Sequence, residues 1–244
     1  MTALGRLTWL ETKLLAREPF ALIFTLGFPL VLLVVLTGSF QPGDPAFGTA
    51  DPSDYYLASY VGVVIGALGL VVLPAHVAAY RERGVLRRLR ASSIPPWVVV
   101  GAQLGVGLAM AAAGALVLTV VGVVAFGAAA PASPLAVLGA FVLAALAFLA
   151  LGFLLSAITR TARGAQAIGM TLFFPMWLLS GAGPPPEVMG EGMRQVSDLL
   201  PLTYAVRAIR EPWLGGAPVA GDLLLLGALL VVAAGLAARS LRGD

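Results

Sequence analysis

The sequence predicts an all-α membrane protein with six transmembrane helices. Of its 244 residues, 59% are hydrophobic and only 11% are charged, whereas soluble domains carry about 25% charged residues. The charged residues stand in short segments between long uncharged runs, and a helix needs about 20 mainly apolar residues to cross a bilayer. A soluble fold of this length would need a far more charged surface, so the chain is predicted to lie in a membrane.

The uncharged runs define the six predicted spans. The third run is long enough for two helices, and Pro131-Ala132-Ser133-Pro134 divides it. The last span is short, but Asp222 and Arg239 can snorkel at its two ends. The spans are predicted at residues 20–38, 56–80, 97–126, 135–158, 165–180 and 219–238.

The first span also has the outline of a signal peptide. Arg6 and Lys13 precede it, and Gly48-Thr49-Ala50 resembles a cleavage site. Its apolar body is longer than the about 7–15 residues of a signal core. We therefore interpret it as an uncleaved span.

The basic residues predict that both ends of the chain are cytoplasmic. With the first residues inside, all but three of the 15 basic residues fall in inner segments, as the positive-inside rule requires. The other three, Arg194, Arg207 and Arg210, share one long outer segment. The tryptophans near span ends are predicted to anchor in the interface. These tryptophans are Trp9, Trp97, Trp177 and Trp213.

Residues 3–18 are predicted to form an amphipathic interfacial helix before the first span. Leucines recur at three- and four-residue intervals while charged residues take the other faces, as in helices that lie flat on a membrane. Two interpretations stay open, because this helix either only orients the first span or acts as a lever coupled to a cytoplasmic partner.

The segment after the second span predicts a short cytoplasmic helix. Gly84 can take a positive φ and end the span, and Val85–Ala91 then has Leu86 and Leu89 on an apolar face, with arginines elsewhere. Such a helix suits docking into a groove on another protein. The alternative is a basic loop that binds anionic lipid.

Several kinds of site are excluded or reduced to one candidate. The chain has no cysteine and one histidine, which excludes disulfides, thiolate metal sites and His-rich metal clusters. Its one lysine, Lys13, is far from any glycine-rich phosphate loop, so the chain has no P-loop ATPase site. His76 is predicted about 7 Å inside the inner boundary, either as a functional group or as a hydrogen-bonding or lipid contact.

Motifs along the whole chain resemble the permeases of ABC exporters of the type-2 class, in particular the drug-resistance permeases of antibiotic-producing actinobacteria. The first motifs are the amphipathic entry helix, the run Arg-Glu-Arg-Gly-x-Leu-Arg-Arg-Leu-Arg that starts at Arg81, and the Pro-Pro-Trp that ends at Trp97. Later ones are Phe174–Gly181 and the sequence from Leu199 to Arg210. Ser92-Ser93 departs from the Thr-Pro common in that family.

The resemblance implies a single permease domain over residues 1–244, in the cell membrane of a bacterium, with no enzymatic activity of its own. ATP and Mg would be bound by a separate cytoplasmic ATPase subunit, contacted by a coupling helix at 82–91. A second permease copy or a homologue would complete the pathway within membrane lipid, with no nucleic-acid partner. The implied coupling residues are Glu82, Arg83, Gly84, Val85, Leu86, Arg87, Arg88, Leu89 and Arg90.

The resemblance also implies that the second and fifth spans line the substrate path, and that residues 184–211 form an outer re-entrant hairpin. From the residues alone, Pro184 can start a helix that runs to Leu200, and a second short helix follows at Tyr204–Glu211. The alternatives are that this outer segment is a solvated loop with two surface helices, and that the aromatic and methionine side chains are plain packing or lipid contact. The implied path residues are Tyr60, Val64, Met170, Phe173, Phe174 and Trp177.

The expected activity is export of a lipophilic compound (a drug, a natural product or a lipid). Two other functions stay open. One is a non-transporting membrane immunity protein, in which the arginine segment binds only lipid. The other is an ion-coupled secondary transporter, which usually needs ionisable groups near the midplane, and for which His76 is the only candidate.

Overall fold

The computed structural model describes residues 18–84 and 96–243 and, within them, every side chain except those of residues 96–97 and 240–243. Eight α-helices and two short 3₁₀ turns, Pro45–Phe47 and Pro186–Val188, account for the regular structure of this part of the chain, which contains no strand. The helices are α1 (Pro19–Ser39), α2 (Pro52–Glu82), α3 (Pro96–Phe126), α4 (Pro134–Ile158), α5 (Ala162–Leu179), α6 (Glu191–Ser197), α7 (Pro201–Trp213) and α8 (Ala220–Gly243).

Local sequence signals mark where these helices begin. Asp51 caps α2 by accepting a hydrogen bond from the backbone N–H of Ser53 at 2.8 Å, and Thr161 caps α5 through Gly164 at 3.1 Å. Proline suits the first helical position because its missing N–H would have no helical partner there. The prolines in that position are Pro19, Pro52, Pro96, Pro134 and Pro201.

Five helices, α1 to α4 and α8, are long and apolar enough to cross a membrane by length and composition. This confirms the predicted all-α membrane protein. The predicted span 165–180 overlaps α5, which is not among the five. Its 18 residues extend about 27 Å, but they include Arg163, Gln166 and an internal Pro175. The six-span count therefore stays a prediction.

Helix α2 lies at the centre of the bundle. Of its most apolar stretch, 89% is buried, against 22% in α8 and 28% in α1. It packs against α1, α3, α4, α5 and α7. A movement of α2 along or across its axis would therefore displace five neighbours at once.

The backbones of α2, α4 and α5 approach closely around a π-helical turn at Leu68–Val72. A Cβ atom added at Gly152 of α4 would collide with the carbonyl oxygen of Gly69, and one added at Gly169 of α5 would collide with that of Leu70. Small residues let membrane helices pack this closely. The glycines therefore set the spacing at mid-bundle.

The bundle has two ends that differ in chemistry. We call the end with the α2–α3 and α4–α5 connections the arginine end, because Arg81, Arg83, Arg160 and Arg163 lie there. The other end, with the α1–α2 and α3–α4 connections and residues 180–219, is called the hairpin end. Under the predicted orientation, the arginine end is cytoplasmic.

Helix α7 runs antiparallel to α2 and lies deep in the bundle. A Cβ atom at Gly62 would be 3.0 Å from the Val206 side chain, and one at Gly66 would be 2.8 Å from Leu202. About 21 Å of α2 separates Gly66 from the first residue of that helix. Helix α7 also packs against α4 and α8.

The first half of the predicted hairpin differs from expectation. The sequence predicted a helix from Pro184 to Leu200, whereas the structure has a 3₁₀ turn, an extended Gly190 with ψ of 157°, and then the short helix α6. Each residue before a proline is pushed toward an extended conformation, so consecutive prolines delay the start of the helix.

Candidate functional site

An aromatic cluster joins α1, α2 and α5 near the middle of the bundle. Phe28 of α1 makes edge contacts with Phe173, Phe174 and Trp177 of α5, with ring centroids 5.8, 5.7 and 5.3 Å apart. The indole Nε1 of Trp177 donates a hydrogen bond of 3.4 Å to the Tyr60 hydroxyl on α2. We call these five residues the aromatic cluster.

The aromatic cluster has a buried base and an open side. Tyr60 and Phe173 have no exposed surface, whereas Phe174 is 39% exposed and Phe28 and Trp177 are half-buried. Edge-to-face ring pairs each contribute about 0.5–1.5 kcal/mol beyond their buried area. The aromatic cluster is therefore an ordered apolar surface, and the side that carries Phe174 is exposed.

Aromatic rings continue from the cluster toward both ends of the bundle. Toward the arginine end, the Phe24 centroid lies 6.2 Å from Phe28 and 4.8 Å from Phe20. Toward the hairpin end, Tyr56 lies 6.3 Å from Tyr60 and 5.5 Å from Tyr55. Rings thus follow one another along much of the bundle.

The predicted path residues are distributed over two places. Tyr60, Phe173, Phe174 and Trp177 belong to the aromatic cluster. Val64 is fully buried and faces α3 instead, since a Cβ atom at Gly114 would be 2.9 Å from its Cγ1. Met170 is half-buried and packs against the core.

Sequence reasoning missed Phe28, although it is central to the aromatic cluster. A signal was available in the first span, where Phe20, Phe24 and Phe28 recur every four residues and therefore share one helix face. The pattern does not show which helix this face meets. That depends on how α1 packs against α5.

At the arginine end, the last turn of α2 is fastened to the α4–α5 connection. Arg81 Nη1 donates to the carbonyl oxygen of Ser156 at 2.9 Å. Glu82 Oε2 accepts from the backbone N–H of Ala162 at 3.1 Å, where a carboxylate also favours the N-terminus of α5. Force on the segment after Glu82 would therefore reach α2, α4 and α5 together.

The predicted coupling helix begins inside the described part of the chain and continues beyond it. Glu82 is the last residue of α2 and not the first of a new helix, because Arg83 leaves the helical conformation and Gly84 then takes a φ of 68°. Glu82 and Arg83 are exposed. The remaining coupling residues, Val85, Leu86, Arg87, Arg88, Leu89 and Arg90, lie outside the described residues.

The predicted interfacial helix at 3–18 lies outside the described residues except for Glu18. Glu18 Oε2 is 3.7 Å from Nδ1 of His76, and the His76 ring is 4.6 Å from that of Tyr80. The single histidine thus joins the start of α1 to the last turns of α2. It lies at the arginine end and away from the aromatic cluster.

At the hairpin end, a buried cation links α7 to α2. Arg210 is 6% exposed, and its Nη1 donates to the Tyr55 hydroxyl at 2.5 Å and to the Gly181 carbonyl at 3.4 Å. Tyr55 in turn donates to Gly181 at 2.9 Å. The connection after α5 is therefore held between α2 and α7.

A second polar contact fastens α7 to α8. Arg207 donates two hydrogen bonds to Asp222, from Nε at 2.7 Å and from Nη2 at 2.6 Å. The Asp222 side chain is 2% exposed. These hydrogen bonds raise the pKa of the Arg207 guanidinium above its ordinary value, so the arginine stays charged in a half-buried position.

Two of the four tryptophans use their indole N–H groups in hydrogen bonds inside the protein. Trp213 is 5% exposed, and its Nε1 donates to the Ala129 carbonyl at 3.2 Å. Trp177 donates to Tyr60 inside the aromatic cluster. Both indoles are occupied within the protein, because helix packing supplied polar partners for their N–H groups. Trp9 lies outside the described residues, and the side chain of Trp97 is not described either.

Comparison with known proteins supplies the family. A family model described as ABC-2 type transporter matches residues 2–213, which is most of the chain. A comparison with curated proteins gave no match. The match covers all the helices from α1 to α7, including the aromatic cluster and Arg210, whereas Asp222 and α8 lie beyond it. The chain therefore belongs to the ABC-2 type transporter family, whose members are the membrane permeases of ABC transport systems.

Proposed function

We propose that this chain is the membrane-spanning subunit of an ATP-driven exporter that carries a lipophilic drug, natural product or lipid out of the cytoplasm. A separate ATPase subunit would bind ATP and Mg and supply the energy. Family membership supports the permease role. The observation that carries the proposal further is the connectivity of α2, which reaches from the predicted docking segment, through the aromatic cluster, to the buried Arg210.

Helix α2 would transmit the work of the ATPase. The docking segment follows Gly84, and Arg81 and Glu82 tie the last turn of α2 to α4 and α5. Closure of the ATPase subunits would push on this end. Because the centre of α2 meets both α4 and α5 through close glycine contacts, its displacement would be passed to those two helices.

The aromatic cluster would form part of the path. Aromatic and methionine surfaces accept varied lipophilic ligands, and the open side of the cluster carries the exposed Phe174. A second copy of the chain or a homologous permease would face this side and complete the path. The α6–α7 hairpin would enter the membrane from the outer side, where its helices satisfy their own backbone groups.

Crosslinking from single cysteines at positions 87 and 89 tests the proposal. The chain has no native cysteine, so Arg87→Cys and Leu89→Cys give no background. We expect crosslinks in cells to a soluble ATP-binding protein. Crosslinks to lipid alone at both positions would contradict the docking role and favour a non-transporting protein.

A charge-reversal pair extends the test from contact to function. Arg87→Glu combined with Arg88→Glu is expected to abolish ATPase binding and export, because docking requires basic groups there. Arg239→Glu is the matched control, since Arg239 is exposed at the arginine end but lies on α8. Unchanged ATPase recruitment in the double variant would refute the docking model.

A further inference from the structure

A cavity of about 280 Å³, lined mostly by polar and charged residues, opens at the hairpin end, between the α5–α6 connection, α6 and α7. Sites for small molecules usually begin at about 300 Å³. The cavity is therefore large enough for a headgroup and too small for a whole lipid or drug. Its lining includes Ser180, Glu187, Arg194, Asp198, Arg207 and Arg210.

Arg210 brings a buried guanidinium with spare donors to this cavity. Its Nη1 makes the two hydrogen bonds to Tyr55 and Gly181, whereas Nε and Nη2 make none with described residues. The nearest carboxylate in an ion pair with it is Glu211, with Oε1 3.9 Å from Nη2. The half-exposed Glu211 and the Tyr55 ring offset part of the cost of burying this charge, and an anionic ligand at the unused donors would offset more of it.

The other two arginines of the cavity are already engaged. Arg207 is held by Asp222, and Arg194 donates to the carbonyl oxygens of Pro186 at 2.7 Å and Glu187 at 3.1 Å. Neither therefore has its full set of donors available. Arg210 is the arginine best able to bind an additional anion.

The exposed part of the lining carries the opposite charge. Glu187 is exposed, and its carboxylate forms no ion pair or hydrogen bond with the described residues. The Asp198 side chain is 64% exposed and lies 3.9 Å from Arg207. The cavity thus has a buried cation and carboxylates near its opening.

We propose that this cavity binds a zwitterionic phosphoester group, with its anionic oxygens at Arg210 and its ammonium group at Glu187. A guanidinium presents paired N–H donors that match phosphate oxygens. The outer carboxylates attract an ammonium group and disfavour a ligand that is only anionic. This site does not depend on the transport proposal, since binding at the hairpin end needs neither an ATPase nor a cargo.

The test measures binding of short-chain lipids to the purified full-length chain in detergent, by isothermal titration. Dihexanoyl phosphatidylethanolamine carries both charges, dihexanoyl phosphatidylglycerol lacks the amine, and free phosphoethanolamine lacks the chains. We expect the ethanolamine lipid to bind about tenfold more tightly than the glycerol lipid, as one charge-assisted hydrogen bond predicts. Equal binding of the two lipids, or no binding, would overturn the proposal.

Two glutamate variants separate the site from general charge effects. Glu187→Gln is expected to remove the preference for the ethanolamine lipid, whereas Glu191→Gln keeps it. Glu191 is an exposed residue of α6 in the same hairpin but does not line the cavity. A preference that survives in Glu187→Gln would refute the ammonium position.

Arg210→Lys tests the anionic half of the site, and it is expected to weaken both lipids. Because Arg210 is buried, the melting temperature of the Arg210→Lys variant is measured as well. If this variant unfolds, the exposed Glu187→Gln variant decides whether the cavity is the binding site. Phosphoethanolamine binding as tightly as its lipid would support a soluble ligand at the same site. Tighter binding of the lipid by about tenfold or more would support a membrane lipid as the ligand.

Discussion

The guanidinium of Arg210 lies 4.4 Å above the centroid of the Tyr55 ring and also donates a hydrogen bond to the hydroxyl of that residue. The two residues are 155 positions apart in the chain. A cation over a desolvated ring contributes about 2 kcal/mol, which helps offset the cost of burying the charge. This pair fixes α7 against the first turn of α2, and therefore fixes the hairpin to the central helix.

Tyr55→Phe should lower stability while keeping the ring beneath Arg210. The variant removes one acceptor from a buried arginine and one donor to Gly181, so we expect a loss of about 1–3 kcal/mol, seen as a lower melting temperature in detergent. Tyr204→Phe is the control, because the Tyr204 hydroxyl bonds the Asp198 carbonyl at an exposed position. Equal losses in the two variants would contradict a special role for the buried pair.

Asp222→Asn should loosen α7 from α8. It removes the charge that pairs with Arg207 at a buried position, and breaking buried pairs costs about 3–5 kcal/mol. Since the Arg207 side chain is 33% exposed, we expect a loss near the lower end of that range. Asp198→Asn, which removes the exposed and more distant partner of the same arginine, should change the melting temperature little.

Gly152→Ala should destabilise the centre of the bundle. The added methyl group would meet the Gly69 carbonyl oxygen, and overpacking costs about 1–3 kcal/mol. Gly139→Ala is a matched control on the same helix, since nothing lies within 4 Å of its added Cβ atom. If the Gly152→Ala and Gly139→Ala variants have the same melting temperature, the close approach of α2 and α4 does not contribute to stability.

Phe28→Leu should impair transport more than folding, because it removes the central ring of the aromatic cluster but keeps an apolar side chain. Efflux of a panel of lipophilic dyes that includes ethidium should fall several-fold, while recruitment of the ATPase stays unchanged. Phe153→Leu serves as control, since Phe153 packs with Leu73 and Leu149 of a separate core group on α2 and α4. If the Phe28→Leu and Phe153→Leu variants export the dyes equally well, the aromatic cluster is not part of the transport path.

Glu82→Gln should uncouple the ATPase from transport. The neutral side chain interacts more weakly with the N-terminus of α5, where a carboxylate contributes about 0.3–1 kcal/mol. The expected readout is more ATP hydrolysed for each dye molecule exported, measured at equal amounts of bound ATPase because Glu82 is also one of the implied coupling residues. An unchanged ratio would show that the contact with Ala162 does not carry force.

Much of the fold could be predicted from residues that lie close together in the sequence. Apolar runs predicted where the long helices lie, because a bilayer requires each span to satisfy its own backbone. Pro134 marked the start of α4, whereas the cap that Asp51 provides for α2 was not predicted. The hairpin was less predictable, since the extended Gly190 interrupts a segment whose apolar pattern continues across it.

The candidate site was only partly readable. Tyr60 and Trp177 were expected on one path, yet the hydrogen bond between them depends on the angle at which α2 and α5 meet. Val64 was predicted on the same path and lies one turn after Tyr60 on α2, but its side chain packs against α3. Phe28 was not predicted, because helix periodicity shows which residues share one face of a helix but not which other helix packs against that face.

By itself, the sequence determined the membrane class, the approximate positions of the five long apolar helices, the basic segment after α2 and the absence of a P-loop, since each depends on composition or on residues close together in the chain. The tertiary structure decided that α2 is the central helix, that Phe28 completes the aromatic cluster, and that Arg210 and Arg207 meet Tyr55 and Asp222. The physical reason is the range of the interactions. Turns, caps and apolar runs act over a few residues, whereas ring contacts and buried ion pairs form only once the helices have packed.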